Sequence, residues 1–122
     1  MALPKKERIK DKKDFERIFK TGRGVRTSQL LVKFQGNHLA HYRSAVVVPV
    51  AVASKAVDRN RLKRMLLESL RSIFKEADHH QASVEKKNFF DVLVIAQPGI
   101  KDKNLSEITG ILRNIFQKAN IV

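Results

Sequence analysis

The stretch Phe89-Phe90-Asp91-Val92-Leu93-Val94-Ile95-Ala96, followed at once by Gln97-Pro98-Gly99, decides the fold. Its apolar residues are mostly β-branched or aromatic, run without polar alternation, and stop at a Pro-Gly turn signal. That is the pattern of a strand covered on both faces. The cover has to come from helices, and the flanking sequence supplies them. From Arg59 to Ala77, Leu62, Leu66, Leu70, Ile73, Phe74 and Ala77 recur on one helical face, which predicts the longest helix of the chain. After the turn, Asn104 and Glu107 have the spacing of a capping box ahead of Ile108, Ile111, Leu112, Ile115, Phe116 and Ala119.

Working back toward the N-terminus, Ala45-Val46-Val47-Val48 is a second continuous run and predicts another strand buried on both faces, ended by Pro49. Leu30 to Gln35 alternates partially and stops at Gly36-Asn37, a strand ahead of a turn. Asp11 can cap a short helix over residues 12–21 that carries Phe15, Ile18 and Phe19, with Gly22 as its stop. Residues 22–28 read as a mobile basic connection, 78–88 as a polar loop, and 1–10 as a flexible basic arm. The order α-β-β-α-β-α predicts a small central sheet with helices packed on it, with residues 1–122 forming one domain.

Composition narrows the partner. Of the 122 residues, 43% are hydrophobic, enough for one core, while 25 Lys and Arg against 12 Asp and Glu leave a net charge of +13. That surplus points to a polyanion. The absence of cysteine excludes a disulfide framework and a cysteine-based zinc site. No segment approaches the roughly 18 to 20 apolar residues of a membrane span, and Met1 to Lys13 is too charged for a signal peptide. A soluble protein of the cytoplasm is expected.

The polyanion site is read at Arg59-Asn60-Arg61-Leu62-Lys63-Arg64. Four cations at a helix start oppose the helix dipole, each costing roughly 0.3–1 kcal/mol, so a functional reason is expected. Free N–H groups and guanidinium forks at that end suit phosphate. The bland alternative is a solvated face held by pairs such as Arg64 with Glu68. On the dipole argument, replacing Arg59 or Arg61 by alanine should leave stability unchanged or raise it. Phe15 and Phe19 sit one turn apart; helical spacing makes them a core pair, whereas Arg17, Lys20 and Arg23 beside them suit the stacking of unpaired bases. His38, His41, His79 and His80 fall in predicted loops without metal-ligand spacing, and no acid–base constellation stands out, so no catalytic or metal-binding residue is assigned.

At these residues the chain resembles the protein subunit of bacterial ribonuclease P. The family pattern Ala-Val-x-Arg-Asn-Arg-x-Lys-Arg is met by Ala56-Val57-Asp58-Arg59-Asn60-Arg61-Leu62-Lys63-Arg64, supported by Asp14, Phe15, Ile18, Phe19 and Gly22 early and Phe90 to Gly99 late. The resemblance implies a two-layer α/β (α+β) sandwich with a left-handed βαβ crossover, an exception to the usual hand, and makes residues 1–122 a single RNA-binding domain. It implies a tRNA-processing ribonucleoprotein endonuclease whose RNA subunit hydrolyses the bond with magnesium, the protein holding no cofactor and needing no protein or membrane partner. By the same resemblance Arg59, Asn60, Arg61, Lys63 and Arg64 would contact the catalytic RNA. Phe15, Phe19, Leu31 and Lys33 would line a cleft for the 5′ leader of precursor tRNA. The chain departs from the family at Val50-Ala51-Val52, where Ser-Lys-Lys is common, and at Leu67 and Gln97, where Arg is frequent. A ribosomal protein or RNA chaperone would share the charge and the aromatics. A helix-turn-helix reader is disfavoured because its recognition helix follows a helix rather than a buried strand.

Overall fold

The computed structural model describes residues 5–39, 41–81 and 89–119, with the backbone alone for 78–81. Three helices, α1 (Lys12–Thr21), α2 (Ala56–Gln81) and α3 (Leu105–Lys118), pack on a sheet of four strands, β1 (Arg23–Arg26), β2 (Leu30–Gly36), β3 (Arg43–Val47) and β4 (Phe90–Ala96). The strand order is β1-β2-β4-β3, antiparallel except for the β3 and β4 pair. Strand β4, the run that announced itself in the sequence, is therefore one of the two inner strands, and α2 makes the crossover from β3 to β4.

The helix ends follow local chemistry. Asp11 caps α1 by accepting the Lys13 N–H at 2.9 Å, and Asn104 and Glu107 close a reciprocal capping box on α3 at 2.9 and 3.1 Å. Gly22 ends α1 with extended backbone rather than the expected left-handed turn. The reason for glycine there is space: a Cβ would stand 2.5 Å from the Ile18 carbonyl oxygen and 2.9 Å from that of Phe34.

The two faces of the sheet differ. On one, Leu30, Val32, Phe34, Val92, Val94 and Ala96 meet the apolar stripes of α2 and α3, and Tyr42 stacks on Phe74 with ring centroids 5.0 Å apart. Ser69 and Thr109 pair at 2.8 Å where α2 crosses α3. On the other face, Ile18 and Leu93 are buried with Ile9, and Phe15, Ala45, Val47 and Ile95 are only partly covered around them.

Four expectations are corrected. Residues 23–26, inside the segment taken as a mobile connection, form β1, whose only apolar side chain is Val25; its strand character comes from the antiparallel partner β2, so the order is α-β-β-β-α-β-α. Strand β3 is an edge strand and mostly half-buried: Val46 and Val48 pack against the core under α2 and α3, and Ala45 and Val47 against Ile18 and Leu93, so the run is covered on both faces but only in part. Helix α2 begins at Ala56, ahead of its apolar stripe, and runs to Gln81, so the backbone at His79 and His80 is helical rather than looped; residues 82–88 of the expected loop lie outside the described residues. In the segment expected to be an arm, Lys5–Glu7 form a 3-10 turn, Arg8 bridges to Ser44 beside β3, and Ile9 is buried while donating its N–H to the Ser44 carbonyl at 2.9 Å. That contact blunts the β3 edge.

Since both close neighbours of a Cβ at position 22 are backbone oxygens, Gly22→Ala should destabilise the protein by about 1–3 kcal/mol, the usual range for overpacking. Gly110→Ala, in open space within α3, should leave it unchanged or raise it by up to about 1 kcal/mol. Thermal melts of the two variants test the pair.

Candidate nucleic-acid interface

Strand register sorts the half-covered face into rows. Gln35, Asp91 and Arg43 lie side by side in the first, Lys33, Leu93 and Ala45 in the second, and Leu31, Ile95 and Val47 in the third, with Arg26 beside Leu31 on β1. Helix α1 lies over the first two. Asp14, Arg17 and Thr21 share one flank of it and bond into the first row; Phe15 and Phe19 share the opposite flank, with Ile18 between. The third row, about 7 Å beyond the second, keeps Leu31, Ile95 and Val47 half-exposed. Phe15 packs against the Ile18 and Leu93 cluster, so the core role applies to it in part. Phe19 is 45% exposed, and the Lys33 ammonium stands 5.4 Å from its ring centroid. The structure thus brings Phe15, Phe19, Leu31 and Lys33 onto one open, basic, partly aromatic floor.

The first row holds a set of residues that sequence reasoning missed. Asp91 has no exposed surface. Its Oδ1 accepts from Arg43 Nε at 2.8 Å and from Asn37 Nδ2 at 2.9 Å, and its Oδ2 from an Arg43 Nη at 2.6 Å and an Arg17 Nη at 3.1 Å. Asp14 reaches both guanidinium groups, at 3.3 Å to Arg17 and 3.4 Å to Arg43. Arg17 also donates to Gln35, whose amide donates to Thr21 Oγ1 at 3.0 Å. Burial alone would push the Asp91 carboxyl up; the hydrogen bonds from Arg43, Asn37 and Arg17 outweigh it and hold the group below the usual carboxylate range. The same hydrogen bond raises Arg43 further above its ordinary value. The signal was present in the sequence, since a lone carboxylate inside a buried strand requires paired cations. An open depression of about 620 Å3 borders this network, lined by two arginines and two aspartates whose charges cancel, so it offers a polyanion no net field.

The cations of α2 divide. Arg59 is half-buried and folds back, one Nη donating to the carbonyls of Ala53 at 3.0 Å and Ser54 at 2.8 Å, which fastens the loop before the helix. Asn60, Arg61, Lys63 and Arg64 are exposed. Because the helix starts at Ala56 with Asp58 in its first turn, the three cations Arg61, Lys63 and Arg64 stand in the second and third turns, where the dipole is weaker than the sequence suggested. Helix α2 leaves the sheet from the C-terminal end of β3, and Val47 in the third row is the last residue of that strand. The exposed cations and the open floor therefore lie toward the same end of the sheet. Of the replaced positions, Val50 and Ala51 are exposed, Val52 is buried, and Leu67 packs against the core. Gln97 accepts from Arg26 at 3.5 Å at this same end.

Among the described residues no cluster of three or more His, Asp or Glu side chains is placed to hold a metal ion. His38 is exposed, and His41 Nε2 is bonded to the Lys6 carbonyl at 2.8 Å. No helix among the described residues is long and apolar enough to cross a membrane.

Comparison with known proteins identifies the family and the fold. The sequence pattern of the Ribonuclease P family matches residues 3–120. The ribonuclease P protein component of Synechocystis sp. is 33% identical over 123 residues, covering 100% of this chain and 92% of its own. That of Staphylococcus epidermidis is 32% identical, covering 98% and 95%. Among solved structures, the RNase P protein of Staphylococcus aureus superposes with a TM-score of 0.75 at 28% identity, covering 94% of this chain and 96% of that one. The RNase P protein of Thermotoga maritima gives 0.67 at 26%, covering 92% and 96%.

Two outcomes follow from the bonding. Arg59→Ala should lower stability by about 1 kcal/mol through the lost carbonyl bonds, against the expectation from the dipole alone, whereas Arg61→Ala should leave the melting temperature unchanged; differential scanning calorimetry reads both. For Asp91, whose folded pKa is depressed, the stabilisation is present above the ordinary carboxylate range and is lost as pH falls through the folded value. Between about pH 5 and pH 2 the protein should lose more stability than its Asp91→Asn variant, measured by urea unfolding across that window.

Proposed function

Since the chain belongs to the Ribonuclease P family, we propose that its two basic surfaces divide the ribonucleoprotein complex between them. A protein of this family is a subunit of the ribonuclease P holoenzyme, the endoribonuclease that generates the 5′ ends of tRNA, and its partner is the ribonuclease P RNA. In our reading the exposed cations Arg61, Lys63 and Arg64 of α2, with the neutral amide of Asn60 beside them, hold the catalytic RNA through its phosphates. The floor made by Phe15, Phe19, Leu31 and Lys33 takes the single-stranded 5′ leader of precursor tRNA. Hydrolysis, with its magnesium, belongs to the RNA, and the complex works in the cytoplasm as a soluble particle.

The observation that carries the leader assignment is the exposed Phe19 ring with the Lys33 ammonium against it, beside a half-covered apolar row. A ring left 45% exposed contributes little to the core and presents a stacking face. A leader offers what such a surface needs, unpaired bases for the ring and phosphates for the lysine, whereas the folded body of a tRNA buries most of its bases in its own stacks.

The test compares precursor tRNA carrying a leader with mature tRNA, each bound to holoenzyme rebuilt from this protein and ribonuclease P RNA. Phe19→Ala should weaken binding of the precursor by about 1–3 kcal/mol, the range for loss of one stacked base, and leave binding of mature tRNA unchanged. Equal losses for the two ligands would assign Phe19 to general packing and refute the leader cleft.

A further inference from the structure

We propose that Asp91 is a positioning residue for the leader cleft: through Arg17 it fixes the roll of α1 about its own axis, and with it the place of Phe19 over Lys33. The proposal rests on the leader reading above and deepens it. Asp91 has no exposed surface, so it touches no RNA and can act only through another group.

The geometry gives the route. A helix lying across a sheet on a few apolar side chains is free to rock about its axis unless one flank is tied. On α1 the apolar contacts come from Ile18 and Phe15, near the middle of its contact face. The flank opposite Phe19 is tied at three points one turn apart: Asp14 to Arg43, Arg17 to Asp91, and Thr21 to Gln35. The middle tie is the anchored one. Its acceptor is a buried carboxylate that Arg43 already grips with two parallel bonds, so it has no freedom to follow the helix. Gln35 and Lys33 stand two residues apart on the same face of β2. The tie through Gln35 and the contact of Phe19 with Lys33 thus share strand β2, which is paired in register with the strand of Asp91, and a roll of α1 that loosened Arg17 would carry Phe19 away from Lys33.

Two substitutions separate positioning from charge. Asp91→Asn removes a negative charge, so a purely electrostatic role would strengthen binding of every RNA. Arg17→Lys keeps the positive charge but loses the planar fork that spans Gln35, Asp14 and Asp91, so a purely electrostatic role would change nothing. Both variants, with Phe19→Ala and the two double variants, are rebuilt into holoenzyme. The readout is the ratio of affinities for leader-bearing precursor and mature tRNA.

We expect each single variant to lower that ratio by about tenfold, within what misplacing a stacking group gives, with binding of mature tRNA and assembly with the RNA unchanged. We expect either substitution, added to Phe19→Ala, to lower the ratio no further, because both act through the same ring. An unchanged ratio in folded Arg17→Lys, equal losses for both ligands, or full additivity with Phe19→Ala overturns the proposal. If Asp91→Asn does not fold, Arg17→Lys and its double variant decide alone. An unchanged ratio in Phe19→Ala itself overturns the leader cleft and the positioning role together. A lowered ratio there with Arg17→Lys at the level of the unsubstituted protein overturns the positioning role only.

Discussion

A carboxylate with no exposed surface sits in an inner strand of this sheet, and the other parts of the half-covered face are arranged around it. Taking an ion out of water costs several kcal/mol unless hydrogen bonds replace the lost hydration. Asp91 receives four such bonds from Arg43, Asn37 and Arg17. Those donors come from β3, from the turn after β2 and from α1. One buried charge therefore ties together two strand registers, a turn and a helix. A shift of β3 by one residue would turn Arg43 to the opposite face and strand the carboxylate. An apolar residue of similar volume in place of the whole network could be as stable. What it would not supply is a reason for α1 to lie at one roll angle, and on this surface the roll angle carries the exposed aromatic ring.

The two faces of the sheet differ for the same reason. The face under α2 and α3 is closed by apolar side chains and by an aromatic series through Phe89, Tyr42, Phe74 and Phe116. Burial there is extensive, and nothing is left to bind. The other face has only α1 and the segment around Ile9 to cover it. The polar row uses one flank of α1, so the apolar contacts of the helix are concentrated on Ile18 and Phe15, and the third row stays half-covered. Strand β1 widens that face without closing it: its side chains are mostly exposed, and Arg23 lies 5.0 Å over the Phe34 ring on the core side rather than filling the floor.

Legibility in the sequence followed the amount of local information each element carries. The bounds of α1, the capping box of α3 and the inner strand β4 are written in caps, periodicity and an unbroken apolar run, and each appears where it was read. Strand β1 was illegible because Arg23-Gly24-Val25-Arg26 has almost no apolar content, and only the pairing with β2 makes it a strand. The valines of β3 announce contact on both faces, which the strand has, but not that the cover is partial or that the strand lies at an edge; position in the sheet is a tertiary fact. The first turn of α2 was missed because an apolar stripe marks where a helix touches the core, not where it begins, and Val57 in that turn is 71% exposed. At the candidate site the aromatic and basic residues were legible by type. The network beneath them was not, since Asp14, Arg17, Gln35, Arg43 and Asp91 are scattered along 78 positions of the chain and meet only through the register.

Arginine is the residue for which sequence and structure diverge most, and the physics of the guanidinium group explains why. A planar fork with five N–H donors fits a carboxylate, a pair of carbonyls and a phosphate about equally well. In a chain of net charge +13, each arginine that settles on an internal acceptor lowers self-repulsion or organises backbone, and is no longer offered to RNA. Arg43 and Arg17 settle on carboxylates, Arg113 on Glu76 at 2.9 Å, and Arg59 on the two carbonyls before α2. Arg61 and Arg64 stand exposed two and five residues further along the same helix. Within a single basic run, then, the first arginine builds the end of the helix and the later ones present charge from it. Spacing cannot make that distinction, because Arg59 differs from Arg61 only in having the carbonyls of residues 53 and 54 within reach.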